Sequence, residues 1–155
     1  MKNNILIRSA TEKDVPAILS LIKELADYEK LSDQVIATED ELKKVLFDEN
    51  DFVEVLVAEY GEQIIGQALF FKNFSTFLCK PGIYLEDLYV KPEMRNKGIG
   101  KALLDKIISL AKERNYGRVE WAVLDWNESA IEFYEKIGAK KLDEWKIFRL
   151  TSDKF

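Results

Sequence analysis

A chain of 155 residues, 47% of them hydrophobic and 33% charged, with a net charge of −5, is long enough to bury a core and too apolar to stay disordered. It holds no histidine and one cysteine, Cys79, which excludes Ser-His and Cys-His nucleophiles, an internal disulfide, and a metal held by imidazole or a cysteine cage. The acidic balance argues against a nucleic-acid surface and favours cationic small molecules; no apolar run approaches a membrane span, and the opening MKNNILIRSA lacks a secretory hydrophobic stretch.

No repeat, low-complexity tract or Gly/Ser linker marks a boundary, so residues 1–155 read as one domain. Residues 5–8 form a short predicted strand. Thr11 with Asp14 makes a weak capping box, and Val15, Ile18, Leu19, Ile22 and Leu25 recur at helical spacing up to about Tyr28 and Glu29. Thr38-Glu39-Asp40-Glu41 is a fuller capping box for a second helix, with Leu42, Val45 and Leu46 expected inward. Residues 52–60 and 64–71 read as strands joined at a Gly61-Glu62 hairpin. Cys79-Lys80-Pro81-Gly82 reads as a turn into a strand over 83–90, which Pro92 closes because proline cannot donate to a ladder. Ile99, Ala102, Leu103, Ile107, Leu110 and Ala111 mark a long helix, and 118–124 another strand. Asn127 caps a helix over about 129–137, and Gly138 stops it where left-handed backbone favours glycine. Segments 140–142 and 145–150 look like closing strands. The order β-α-α-β-β-β-α-β-α-β-β predicts an α+β (mixed α/β) domain around one twisted sheet.

The stretch that carries chemistry is Arg95-Asn96-Lys97-Gly98-Ile99-Gly100, between a strand and a helix. Such a turn offers bare N–H groups and the positive end of a helix dipole, a ready phosphate site to which Arg95, Lys97 and Lys101 add charge. Neither common nucleotide pattern fits. The mononucleotide loop needs glycine at 95 and Ser or Thr after Lys101, where Arg95 and Ala102 stand; the dinucleotide loop needs a third glycine where Leu103 stands. Glu86 and Asp87 sit side by side in the otherwise apolar strand. Alternation should send them to opposite faces, and burial would raise a carboxylate toward a useful base. On the residues alone, Glu86 is equally a strand-end glutamate paired with a lysine and Asn127 a plain cap. Glu120 is equally a solvated strand residue, and Tyr134 part of an apolar stripe with Ile131 and Ile137.

With the apolar strand before it, R-x-x-G-x-G resembles the pyrophosphate loop of the GNAT superfamily, whose members carry an acyl group on coenzyme A. The likeness runs nearly end to end. Within the superfamily the chain is similar to the diamine branch, the spermidine/spermine and thialysine N-acetyltransferases. The segments that carry it are IRSATEKD, LIKELADYE, TEDEL, YLEDLYV with RNKGIG, and AVLDWNESAIEFYEKIGA, with VLDWN favouring the thialysine side. The resemblance implies a GNAT-like acyl-CoA N-acyltransferase fold with a mixed sheet and about four helices, acetyl-CoA as cosubstrate, and no metal. It places the pyrophosphate on the N–H groups of Asn96, Lys97, Gly98, Ile99, Gly100 and Lys101, beside Arg95. It pairs the pantetheine arm with Leu88, Tyr89 and Val90, and brings Asn127, Glu128, Ser129 and Ala130 to the arm's far end. Glu86 is implied as the base for the amine, directly or through water. Tyr134 is implied as the acid toward sulfur, by proton transfer or by a hydrogen bond. Tyr28, Glu29, Glu86, Asp87, Glu120, Trp121 and Ala122 would line the acceptor site. Leu142-Asp143-Glu144-Trp145 is shorter than the corresponding E-E-G-W stretch and lacks its glycine, which leaves the part of Asp143 and Glu144 open. The implied activity is acetyl transfer to a primary amine of a small polycationic or amino-acid-like acceptor, by direct attack in a ternary complex, in a cytoplasmic homodimer. The same core would also serve a protein or peptide amine acetyltransferase, or a catalytically silent acyl-CoA-binding module.

Overall fold

The computed structural model describes residues 4–49 and 52–155; of the opening residues read above for a leader, 1–3 lie outside this range. The chain divides into two compact units, residues 1–122 and 123–155.

The first unit runs β1 (Leu6–Ser9), α1 (Val15–Tyr28), α2 (Glu39–Lys43), β2 (Val53–Tyr60), β3 (Gln63–Ser75), β4 (Lys80–Val90), α3 (Ile99–Glu113) and β5 (Val119–Trp121). The sheet order is β1-β2-β3-β4-β5; every pair is antiparallel except β4 with β5. Local chemistry sets the element ends. The Thr11 N–H donates to Asp14 Oδ2 at 2.8 Å, and buried Asp14 accepts from both terminal nitrogens of Arg8 at 2.7 and 3.0 Å. That fork ties β1 to the entry of α1 and holds Asp14 below the usual carboxylate range. At α2 the expected box is reciprocal: Glu41 N–H to Thr38 Oγ1 at 3.2 Å, and Thr38 N–H to Glu41 Oε2 at 3.0 Å. After Lys43 the helix widens into a π-helical turn, Lys44–Asp48. The extra residue in that turn rotates the apolar stripe, so Leu46 is buried while Val45, expected inward, stays 43% exposed. Phe47 packs instead on the cluster of Ile18, Leu46 and Val57.

The Gly61-Glu62 hairpin forms with φ of 55° and 68°, both left-handed, as a two-residue primed turn requires. The next turn occupies 76–79, so Lys80, Pro81 and Gly82 belong to β4 and not to the turn expected there. Gly82 is needed: a Cβ would stand 2.7 Å from both the Arg118 carbonyl and Asn73 Oδ1, where the chain entering β5 crosses close to β4.

The sheet is covered on both faces. Gln67 Nε2 donates to the Ile18 carbonyl of α1 at 3.2 Å, whereas Glu54 takes a two-pronged bond from Arg114, just past α3, at 2.7 and 2.8 Å. From Val53 to Ala58 on β2 and from Gly66 to Phe71 on β3, residues of odd number therefore face α1 and even ones face α3; the register shifts after Ala58, and Ile64 packs on the α1 side. Phe70, Leu85, Leu103, Leu104 and Ile107 are buried. One irregularity matters for the site. Leu69 pairs with Asp87 and Phe70 with Leu85, so Glu86 is the extra residue of a β-bulge.

In the second unit, α4 (Glu128–Lys136) starts at Asn127, whose Oδ1 accepts from the Ala130 N–H at 3.4 Å. It stops at Gly138, φ 96°, as expected. The closing strands expected at 140–142 and 145–150 do not form, and every residue from 140 to 155 is exposed. A strand needs a ladder partner, and this unit has no other strand. Trp145, Ile147, Phe148 and Leu150 also place apolar groups on both alternating faces, so the pattern lacks one solvent side. The strand expected over 118–124 is confined to Val119–Trp121. Among the described residues, the mixed α/β architecture of five strands and four helices is the one the sequence predicts, less those two closing strands.

Candidate active site

β4 stops at Val90, and a 3-10 turn, Pro92–Met94, leads to Arg95. Asn96 (φ 62°) and Gly98 (φ 78°) are both left-handed, which turns successive N–H groups toward one side and makes a concavity suited to an anion. The first bond of the α3 ladder runs from the Ala102 N–H to the Gly98 carbonyl at 2.9 Å. The N–H groups of Ile99, Gly100 and Lys101 therefore precede the ladder and suit a ligand. A Cβ on Gly98 would meet nothing within 4 Å, so its φ and not crowding calls for glycine. Lys101 Nζ bonds Asp105 at 2.7 Å along the helix, while Lys97 is exposed with no ion pair among the described residues.

β5 pairs only with Ile83, Tyr84 and Leu85, whereas β4 continues to Val90. Past Leu85 the edge of β4 turned from β3 has no strand neighbour among the described residues. Leu88, Tyr89 and Val90 present extended backbone there, which fits an amide-bearing arm laid alongside like a further strand.

The bulge rearranges the carboxylates. Leu85 pairs with Phe70 on the α3 side, so Glu86 takes the α1 side, and the extra residue returns Asp87, opposite Leu69, to that same side. The expectation that Glu86 and Asp87 point to opposite faces therefore fails at the bulge. Glu86 is exposed, and Asp87 is the half-buried one. Burial first, then the charges of Glu86 and Glu29, push Asp87 up to about 6. Burial also raises Glu29, just past the end of α1. Tyr84, which the sequence reading passed over, is raised by burial and then by Glu86 and Glu120. Its signal was its place two residues before Glu86 on a strand. Glu29, Glu86 and Asp87 thus form one acidic cluster, with Tyr84 beside it.

Glu120 is engaged by Arg118 Nε at 3.1 Å and Asn73 Nδ2 at 3.4 Å, and its charge acts on Tyr84 beside the cluster. Trp121 is half-buried opposite Leu85, and Ala122 is exposed. Arg95 is half-buried: its guanidinium carbon lies 5.1 Å from the ring centroid of Tyr28 and 5.3 Å from that of Tyr89. Its Nε donates to the Val90 carbonyl at 3.0 Å. Glu24, also not singled out from sequence, accepts from the Tyr89 hydroxyl at 3.4 Å and pairs with Lys91 at 3.3 Å. Its spacing of four from Tyr28 on α1 was the available signal. In the second unit, Asn127 Oδ1 also accepts from Ser129 Oγ at 3.4 Å. Glu128 and Ser129 are exposed and Ala130 half-buried. Tyr134 is half-buried on α4, its ring 5.5 Å from that of Phe133. Asp143 and Glu144 are exposed.

Residues 18–139 match the model of the acetyltransferase (GNAT) family. The chain belongs to the GNAT acetyltransferase family. This GNAT enzyme is 41% identical over 161 residues to a thialysine N-epsilon-acetyltransferase from Sus scrofa, covering 97% of this chain and 94% of that relative. It is 34% identical to an L-ornithine N5-acetyltransferase from Arabidopsis thaliana, covering 95% and 84%. In fold it is similar to an aminoglycoside acetyltransferase from an uncultured soil metagenomic sample, with a TM-score of 0.80 at 23% identity over 97% of each chain. The expected likeness to the thialysine side of the diamine branch is met by the first of these. No helix among the described residues is long and apolar enough to cross a membrane.

Proposed function

We propose that this GNAT acetyltransferase moves acetyl from acetyl-CoA to the terminal amine of a small diamine or diamino acid. The observation that carries the reading is the cluster of Glu29, Glu86 and Asp87 on the α1 face of β4, in line with the phosphate-type loop at the same strand's end. Thialysine and ornithine, named for the relatives above, each carry two amines, and three carboxylates suit a second ammonium that a monoamine lacks.

Acetyl-CoA supplies the activated acyl thioester. The N–H groups of Asn96, Lys97, Gly98, Ile99, Gly100 and Lys101 hold its pyrophosphate, and the open edge at Leu88, Tyr89 and Val90 holds its amide arm. The protein must then free an amine. An alkylammonium near 10.4 is about 0.04% neutral at pH 7, a deficit of roughly 4.6 kcal/mol. Passing its proton to a carboxylate near 3.8 is uphill by about 9 kcal/mol; to Asp87, at about 6, by about 6 kcal/mol. The raised carboxyl of Asp87 therefore takes about 3 kcal/mol off that step. Asp87 is the proton acceptor in this reading, and exposed Glu86 hands the proton on to water. Tyr134 takes its part from the AIEFYEKIGA motif alone. A thiol near 8.5 is more acidic than a tyrosine near 10, so a hydrogen bond to the leaving sulfur suffices and full transfer would be uphill by about 2 kcal/mol. A cytoplasmic homodimer is proposed on the resemblance.

The test is thiol release from acetyl-CoA with thialysine, ornithine, lysine, spermidine, putrescine, a monoamine and a lysine-containing peptide. Turnover on diamino acids or diamines well above the monoamine is the expected result. A peptide preferred over every small amine, or acetyl-CoA binding without turnover of any acceptor, overturns the reading. Tyr134→Phe should lower turnover at least about tenfold with little change in acetyl-CoA affinity.

A further inference from the structure

We infer that Arg95 is a positioning residue for the acceptor side of the site, holding Tyr28 and the α1 end that carries Glu29 against the phosphate-type loop. The inference rests on the proposed function for what that end of α1 does. Three observations converge on one guanidinium. One face lies over Tyr28, the last residue of α1, and Tyr89 on β4 lies at a similar distance. Nε closes on the carbonyl of Val90, the last residue of β4. Arg95 itself opens the turn whose next six residues offer their N–H groups. A flat, delocalised cation suits a place between two rings while it donates in its own plane, and an ammonium suits it less.

A second tie runs in parallel. Tyr89 bonds Glu24, one helical turn before Tyr28, and Glu24 pairs with Lys91. The last turn of α1 is thus fastened twice to the end of β4, and Arg95 is the fastening that belongs to the loop. An arginine serving phosphate alone would extend into water as Lys97 does, whereas Arg95 is half-buried. A ligand that orders the loop orders Arg95, and through it Tyr28. Binding in the loop and binding of the amine then favour each other by the same factor.

The test is a cycle of Arg95→Ala, Tyr28→Leu and the double variant, with Arg95→Lys as the conservative change, reading the KM of thialysine, the KM of acetyl-CoA and kcat. Each single variant should raise the amine KM about fivefold, and the double variant no further than the worse single. Arg95→Lys, which keeps the cation but loses the Nε bond, should recover part of the loss. An amine KM unchanged by Arg95→Ala, or single effects that multiply in the double variant, overturns the inference. The same cycle on the urea midpoint of the protein without substrate separates the two failures. Additive shifts there overturn the Arg95 contact whatever the activity, while coupled shifts in a protein inactive on every amine overturn the proposed function and leave the contact standing.

Discussion

Asp14 and Asp87 are both carboxyls withdrawn from bulk water, yet they titrate in opposite directions, because the Arg8 bond outweighs burial at Asp14 while burial acts at Asp87 with two carboxylates added to it. Asp14, forked by Arg8, is lowered. Its contribution is present above the unfolded value near 3.8 and is lost as pH falls through the lower folded value. Asp87, pressed by burial and by Glu86 and Glu29, is raised to about 6. Between about 4 and 6 the unfolded chain sheds that proton first, so stability falls as pH rises across the window and the deficit is complete above it. Asp87→Asn should therefore stabilise the protein at pH 8, by at most about 3 kcal/mol at 1.36 kcal/mol per pH unit, and by little near pH 4. Urea unfolding at the two pH values reads this, and an equal gain at both would contradict the burial account. In activity, the wild type should lose kcat/KM below about pH 6, where Asp87 becomes protonated. Asp87→Asn should lower the rate and remove that limb. A limb that survives in Asp87→Asn assigns it to another group.

At the scale of elements, much of the first unit was legible because its signals are local. Apolar residues at helical spacing foretold α1 and α3, Thr38 and Glu41 foretold the start of α2, and Gly61-Glu62 foretold the hairpin. What failed was non-local. The bulge at Glu86 is a relation between β3 and β4 that neither strand's pattern contains, so the two adjacent carboxylates were sent to opposite faces. The closing strands failed for the same reason: Trp145 and Ile147 have a strand's composition but no partner within their unit. The phosphate-type loop was legible as a motif, but the engagement of Arg95 with two tyrosines was not, because Tyr28 is remote in sequence. The loop also yields a test in which fold and ligand separate. A Cβ on Gly100 would meet only Val90 Cγ2, at 3.9 Å, so Gly100→Ala should leave the thermal midpoint unchanged or slightly raised. If a pyrophosphate lies on those N–H groups, the same methyl should raise the KM of acetyl-CoA about tenfold or more. An unchanged KM would move the phosphate elsewhere. Gly98→Ala instead should cost about 1–2 kcal/mol of stability, because its φ of 78° is left-handed.

For the whole molecule, a net charge of −5 and an acidic cluster would act together on the proposed diamine acceptor. Raising salt from about 0.02 M to about 0.5 M shortens the screening length from about 20 Å to about 4 Å. The kcat/KM for a diamine should fall severalfold, and that for a monoamine of equal length distinctly less. Equal losses would show that the cluster does not read the second charge. The sheet order, β1-β2-β3-β4-β5, is also the order of synthesis. As the chain leaves the ribosome, each strand emerges next to a partner already made, and no strand must wait for one still inside the exit tunnel. The three long strands can close as a meander while α3 is still being translated, since β2, β3 and β4 are joined by short turns. The edge of β4 turned from β3 then stays open until β5 arrives, and β5 pairs only with Ile83, Tyr84 and Leu85. Past Leu85 that edge keeps no strand neighbour among the described residues, and the proposed amide arm would complete the sheet there as a strand the chain itself does not supply.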